Sequence, residues 1–487
     1  VRKRFFSKIL VLGLLLAISM GLYLFPKGDD NSTSVANPVL TYAKKDSQQA
    51  TKYNFAITFN EQDKEITGNV LVEVQNQSDL QLEELYFHTF PNAFTDWRWE
   101  EASKPTSEGY LKIHKATVNQ LEVFPHQNET LLKINLPVPL NPQEITQVQL
   151  FFEMKIPENG LRLNSINETI FLAQWYPMLA VLDEQGWHLD PYTTTGDPFF
   201  SELADYHLQL RIPKGYSVIS TAIDQQKSES NEITLFQENV RDFALVITKD
   251  YDKITSETAS GVVVNLYYLP EQQEVAGLLL GSSIEALEYF DTAFGAYPLP
   301  ELDVVLANAG YGVAGMEYPG LVTANAIIRN RGKITPAYNV VAHEIAHQWW
   351  YSTVGNNQVI EPWLDEGLTS FSEYLYMEEV MKLQGIDSLM KDLKKYTDAL
   401  AVKNNLNVLQ PIYAYGELYG PFIYGRPAAM LWELKRQYGA AAVKKILQNY
   451  YQQYSFKVAT TEDFIRVVNE VTAKDMTAFF KEWLYIK

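Results

Sequence analysis

The chain has no cysteine. That absence removes a disulfide scaffold, a thiolate nucleophile, a Cys-bound zinc and an iron–sulfur cluster together. Histidine is scarce too, seven in 487 residues, so each imidazole can be considered singly. Basic residues are outnumbered, 40 against 59 acidic ones, for a net charge of −19. A surface that negative repels phosphate backbones and no basic stripe interrupts it, which excludes nucleic acid as a partner. Long apolar runs are missing apart from one, Ile9 to Phe25.

That run carries no charge over 17 residues. As a helix it is roughly 25 Å long, the short end of what crosses a bilayer. Arg2, Lys3, Arg4 and Lys8 precede it and keep the start of the chain in the cytoplasm. Residues 1–25 therefore read as a single-pass signal-anchor with the rest of the chain outside the cell membrane. A cleaved signal peptide, with secretion, is the other reading. Residues 26–40 form a polar linker.

Over the whole chain, 46% apolar and 20% charged residues describe globular structure, and the length suffices for more than one core. Period-two alternation dominates residues 41–255: Tyr53, Phe55, Ile57 and Phe59, then Val70, Val72 and Val74 after a turn expected around Thr67-Gly68. It returns at Val148, Leu150, Phe152 and Met154, and at Tyr206, Leu208, Leu210 and Ile212. Half-buried antiparallel strands, in a β-sandwich or saddle, are predicted. From 256 to 487 the pattern changes to an α+β domain with a helical second half. Helices are predicted over 272–294, 338–352, 364–383, 386–402, 424–438, 440–453 and 461–484.

His343-Glu344-Ile345-Ala346-His347 lies on the helix predicted from 338. Residues four apart project from one face of a helix, so the two imidazoles can take two corners of a zinc tetrahedron. Glu344 is placed to hold a carboxylate beside the metal's water rather than on the metal. Chance supplies such a motif in about one chain in a hundred of this composition, and the next helix makes chance a poor account. Glu366, in Trp363-Leu364-Asp365-Glu366-Gly367, follows after eighteen intervening residues. That is room for the first helix to end, a loop at Gly355-Asn356-Asn357 to turn, and a third ligand to return. One Zn²⁺ per chain is expected, with a fourth position left open as in catalytic sites. Glu373, further along the same helix, is either a partner for a ligand histidine or a solvated helix glutamate. His88, His114, His126, His188 and His207 read as ordinary polar residues of the β-region.

HEIAHQWW, the glutamate of WLDEG and an upstream Gly315-Met316-Glu317 together resemble the aminopeptidase N family of gluzincin zinc aminopeptidases. TGNVLVEVQN, LEELYFHTFPNAF and FGAYPLPELDVV extend the resemblance over nearly the whole exported part. It implies a saddle-like β-domain followed by a thermolysin-like catalytic domain, with His343, His347 and Glu366 as zinc ligands and Glu344 as general base. By the same resemblance Glu317, in the Gly315-Met316-Glu317 segment, binds the α-ammonium of a peptide with a free amino end. Gln174 of Leu172-Ala173-Gln174-Trp175 assists from the β-domain, and Tyr424 donates to the oxyanion. Tyr419, in the same segment as Tyr424, is a weaker candidate.

Three departures qualify the implication. Tyr318 stands where the family has Asn after the glutamate. Arg426-Pro427 replaces the usual Lys-Gly. The sequence also stops at Lys487, without the family's large carboxyl-terminal helical domain, which implies a more open cleft. The resulting expectation is hydrolysis of the first peptide bond of peptides. The rivals are an endopeptidase on the same site and a membrane-anchored binding protein without catalysis.

Overall fold

The structure is a computed structural model and describes residues 51–223, 231–307, 314–330 and 333–485. The expected anchor and linker, and residues 41–50, lie outside the described residues. No helix among the described residues is long and apolar enough to cross a membrane.

The alternating segments build a seven-stranded sheet. Its order is Glu232–Val240, Ala204–Arg211, Thr51–Asn60, Glu65–Gln75, Ile145–Lys155, Tyr110–Val118 and Leu121–Val123. Tyr53, Phe55, Ile57 and Phe59 are buried while Asn54, Ala56, Thr58 and Asn60 face water, as period two dictates. Two four-stranded sheets accompany it, and their apolar faces share one core that includes Val70, Phe152, Leu85, Leu132, Leu172 and Leu245.

Two expectations are corrected here. The sheet is not wholly antiparallel, because Thr51–Asn60 runs parallel to Ala204–Arg211. Alternation reports which face a residue takes and is silent about the partner's direction, and a parallel pair needs a long crossover. The hairpin turn falls at residues 61–64, and Thr67-Gly68 lies inside the strand.

The second half opens on a mixed five-stranded sheet in the order Asp252–Glu257, Val263–Tyr268, Glu301–Val305, Leu321–Ala324 and Gly315–Met316. Helix α1 (Gln273–Phe294) ends at Gly295 as predicted and packs on this sheet and on α2 (Tyr338–Ala346). Then follow α3 (Trp363–Glu379), α4 (Ile386–Asn404), α5 (Arg426–Tyr438), α6 (Ala440–Tyr454) and α7 (Thr461–Thr472).

Helix α2 is shorter than the predicted 338–352. The chain tightens after Ala346, and Tyr351 takes φ 122, a strained value for a residue with a Cβ. Arg241 of the β-domain holds it there by donating to the Tyr351, Ser201 and Lys457 carbonyls. The predicted helix 461–484 breaks at Ala473, which is left-handed, and resumes at Thr477–Phe480. Periodicity cannot register one residue of reversed φ.

Helix α3 carries Gly367, Thr369, Ser370 and Ser372, poor helix formers, and Pro362 at its start makes no side-chain cap bond. A cap would add about 1 kcal/mol. Burying an aromatic side chain the size of Trp363 contributes about 4–6 kcal/mol at about 25 cal/mol per Å². Packing therefore decides: every residue from Trp363 to Ser372 is buried. A separate apolar cluster joins the two halves, with Phe171, Ala173 and Val246 meeting Val305, Met316 and Tyr318.

Candidate active site

His343 in the last turn of α2 and His347, which caps it, stand with ring centroids 5.0 Å apart. Their Nε2 atoms both lie 3.3 Å from the same oxygen, Oε2 of Glu366. A loop returns that carboxylate: Asn357 Oδ1 accepts from the Val359 and Ile360 amides, and Asn356 donates to the Glu361 carbonyl. Asp365 and Glu366 occupy the first turn of α3, where the helix dipole favours negative charge.

The three groups fit a zinc ion. Ligand bonds of about 2.0–2.1 Å in a tetrahedron put ligand atoms about 3.3–3.4 Å apart, which matches both separations. The rings' other nitrogens are already engaged. His343 Nδ1 lies 3.1 Å from Glu373 Oε2, and Asn339 donates to the other Glu373 oxygen. His347 Nδ1 faces Asp365 Oδ1 at 2.7 Å, the Trp350 carbonyl at 3.1 Å and the Thr369 hydroxyl at 3.0 Å. Both Nε2 atoms are thereby left for the metal.

Metal-free electrostatics agree with a site shaped for a cation. Burial opposes charge on His343, yet Glu366 and Glu373 raise its pKa to about 10. His347 is also raised, burial being outweighed by Asp365 and Glu366. Glu366 is lowered despite its burial, chiefly by His347. Protons gather where a metal's charge would otherwise sit.

Glu344 is buried, and burial raises its carboxyl to about 7 against the pull of the two histidines. Its neighbour Gly315 permits the approach: a Cβ there would fall 2.3 Å from Glu344 Cδ. Glu317, also buried, brings a carboxylate oxygen within 4.8 Å of ligand atoms of Glu344 and His347. Tyr318 leaves this segment anchored, since Gln348 donates to the Glu317 and Tyr318 carbonyls and accepts from the Gly320 amide. Met316 lies against Arg162, which also binds Asp197 at 2.5 Å.

Tyr424 lies in a π-helical turn, Gly420–Gly425, just before α5. Such turns recur at functional sites. Its hydroxyl donates to Glu366 Oε1 at 2.5 Å, and its ring lies nearly parallel to His343 at 5.8 Å. Arg426-Pro427 is accommodated in the first helical turn. A Cβ on Gly367 would stand 2.5 Å from Pro427 Cβ, so that glycine lets α5 begin against α3 and delivers Tyr424 to Glu366.

Two candidates stand apart. Gln174, buried at φ 47, donates to Asp242 at 2.5 Å while its Oε1 has no partner; among the described residues no hydrogen bond links it to the triad. The Tyr419 hydroxyl is buried without a partner beside Tyr424. Sequence reasoning missed Asp365, Thr369, Gln348 and the Arg162–Asp197 pair. Asp365 adjoins Glu366 and was open to inspection, but the other contacts join residues far apart in the chain.

Residues 279–483 match the model described as the Peptidase family M1 domain. Glutamyl aminopeptidase of Sus scrofa is 25% identical over 428 residues, covering 78% of this chain and 44% of the relative. Aminopeptidase M1-D of Oryza sativa subsp. japonica is 28% identical over 250 residues, 48% of this chain and 28% of the relative. The chain spans less than half the length of these curated relatives. An M1 zinc metallopeptidase from Deinococcus radiodurans superposes with a TM-score of 0.62 at 18% identity, over 90% of this chain and 94% of that one. This likeness supports a two-domain fold with an amino-terminal sheet domain. Family model, relatives and a buried His-His-Glu group point the same way: over residues 279–483 the chain is similar to the Peptidase family M1 domain.

Proposed function

We propose that the chain is a zinc-dependent aminopeptidase that hydrolyses the first peptide bond of peptides outside the cytoplasmic membrane. The observation that carries the reading is Glu317, a buried carboxylate beside Glu344 and His347 but outside the His343–His347–Glu366 triad. An exopeptidase must hold a positive amino end close to its metal, and a carboxylate does so by a charge-assisted hydrogen bond. The relatives are named aminopeptidases, and a Deinococcus radiodurans neighbour has been crystallised with a Tyr-Ser-Ala substrate. The basic, then apolar, start of the chain supports the location; fractionation of cells expressing the full chain checks it, and recovery in the cytosol would reject it.

His343, His347 and Glu366 would hold the zinc, which supplies Lewis acidity towards the scissile carbonyl and acidifies water. Glu344, with its carboxyl near 7, takes the proton of the attacking water and passes it to the leaving amine. Glu317 sets the register by gripping the α-ammonium, and the unpaired Oε1 of Gln174 assists from the β-domain. Tyr424 donates to the carbonyl oxygen as charge develops there. Such a donor is worth about 3–4 kcal/mol, so Tyr424→Phe is expected to lower kcat about 10²–10³-fold with little change in KM. Unchanged kcat in steady-state assays would remove Tyr424 from the mechanism.

Matched peptides with free and acetylated amino ends test the activity, with chelator and zinc add-back as controls. Only the free peptides are expected to be cut, and Glu317→Ala is expected to raise KM and narrow that difference. Equal cleavage of the acetylated peptides would make the enzyme an endopeptidase.

A further inference from the structure

We propose that Asp365 is a positioning residue for the metal, holding the His347 ring by its Nδ1 edge and strengthening Nε2 as a zinc donor. This rests on the zinc reading above and extends it to a residue outside the ligand set.

The ring of His347 is clasped by consecutive carboxylates of one helical turn. Asp365 Oδ1 lies 2.7 Å from Nδ1, and Glu366 Oε2 lies 3.3 Å from Nε2. Gln358 Nε2 donates to the other Asp365 oxygen at 2.9 Å, which fixes the carboxylate's orientation. Oδ1 has no hydrogen-bond partner to satisfy it, so the imidazole beside it is what its charge faces. Both side chains are 1% exposed. A buried carboxylate oxygen left in that state is costly, and the Nδ1 edge of His347 at 2.7 Å is the polar group set against it.

A negative charge at Nδ1 fixes the tautomer that leaves the Nε2 lone pair free, and it raises the basicity of that lone pair. His343 has a corresponding partner in Glu373, but that carboxylate is 13% exposed, so water weakens its field more. The Trp350 carbonyl and the Thr369 hydroxyl also stand near His347 Nδ1. They can orient the ring, but being neutral they add little to its donor strength.

Asp365→Asn in the full chain separates these roles, because it keeps the side chain's size and removes its charge. Zinc dissociation constants from chelator competition are expected to weaken about 10–100-fold. The visible bands of the cobalt-loaded forms should differ. A dissociation constant within twofold of the parent would overturn the proposal and assign the ring to Trp350 and Thr369. A metal-free melting temperature that falls while zinc affinity holds would also overturn it, making Asp365 structural. Should the Asn variant not fold, Gln358→Leu, which unties Asp365 but keeps its charge, is expected to weaken zinc binding by a smaller factor; no weakening would count against the proposal. If the parent itself binds no zinc, the zinc reading fails, a result distinct from all of these.

Discussion

Glu344→Gln leaves a protein that retains zinc and hydrolyses almost nothing. The amide fills the same space but cannot accept a proton from water, and general-base catalysis is worth about 10²–10⁴-fold. Both kcat and kcat/KM should fall by at least that factor, because the interaction lost is made in the transition state. An isosteric change is required at this position, since Glu344 is buried with the Gly315 backbone pressed against it. The parent enzyme carries a matching signature. With the Glu344 carboxyl near 7 in the metal-free site, and a nearby cation able only to lower it, activity should decline along an acidic limb whose midpoint lies below about 7. That acidic limb should disappear from whatever activity the variant retains. A Gln variant with normal zinc content and more than a tenth of parental kcat would exclude Glu344 as the base.

Removing zinc is expected to abolish activity and to leave a protein whose stability depends on pH in a defined direction. His343 rises from its ordinary 6.5 to about 10 in the metal-free fold. A group raised on folding contributes stability that is fully present below about 6.5 and is lost as pH climbs through about 10. Glu366 is shifted the other way, so its contribution is present above the ordinary carboxylate range and is lost as pH falls from that range through its lowered value. Loading zinc expels the histidine protons, so zinc should bind more tightly as pH rises. The melting temperature of the metal-free protein should therefore drop between pH 7 and 10, and the gap to the zinc-loaded form should widen. Zinc at 1,000 times its dissociation constant contributes about 4 kcal/mol, enough for calorimetry to resolve. Parallel pH profiles for the two forms would show that the site is not protonated as described.

Where the site is legible in the chain, local geometry is the reason. His343 and His347 are brought together by helical rise alone, Glu344 is carried between them, and the interval to Glu366 leaves room for one turn and one helix start. The strand faces are legible for a similar reason, because alternation needs no knowledge of a partner. Strand direction was not: Thr51–Asn60 pairs in parallel with a strand some 150 residues later, and nothing in either segment encodes that choice.

Other features are decided across distance. Residues 338–352 keep a helical pattern, yet Arg241, a hundred residues upstream, holds the chain after Ala346 in a strained turn. Tyr424 reaches Glu366 because Gly367 admits Pro427. Glu317 stands beside Glu344 because an edge strand and a glycine let the Gly315 backbone lie against the Glu344 side chain.

The lack of cysteine and the few histidines, readable from composition, already confine any zinc to imidazole and carboxylate donors. The HExxH spacing then names the donors, because ligands four residues apart must share a helical face. Which side chains support those donors is a different matter. Asp365 and Thr369 on His347, Glu373 on His343 and Gln348 under Glu317 are set by the packing of α2 against α3 and against the edge of the five-stranded sheet. Sequence spacing orders residues along one element, and only the docking of elements brings their side chains within bonding distance.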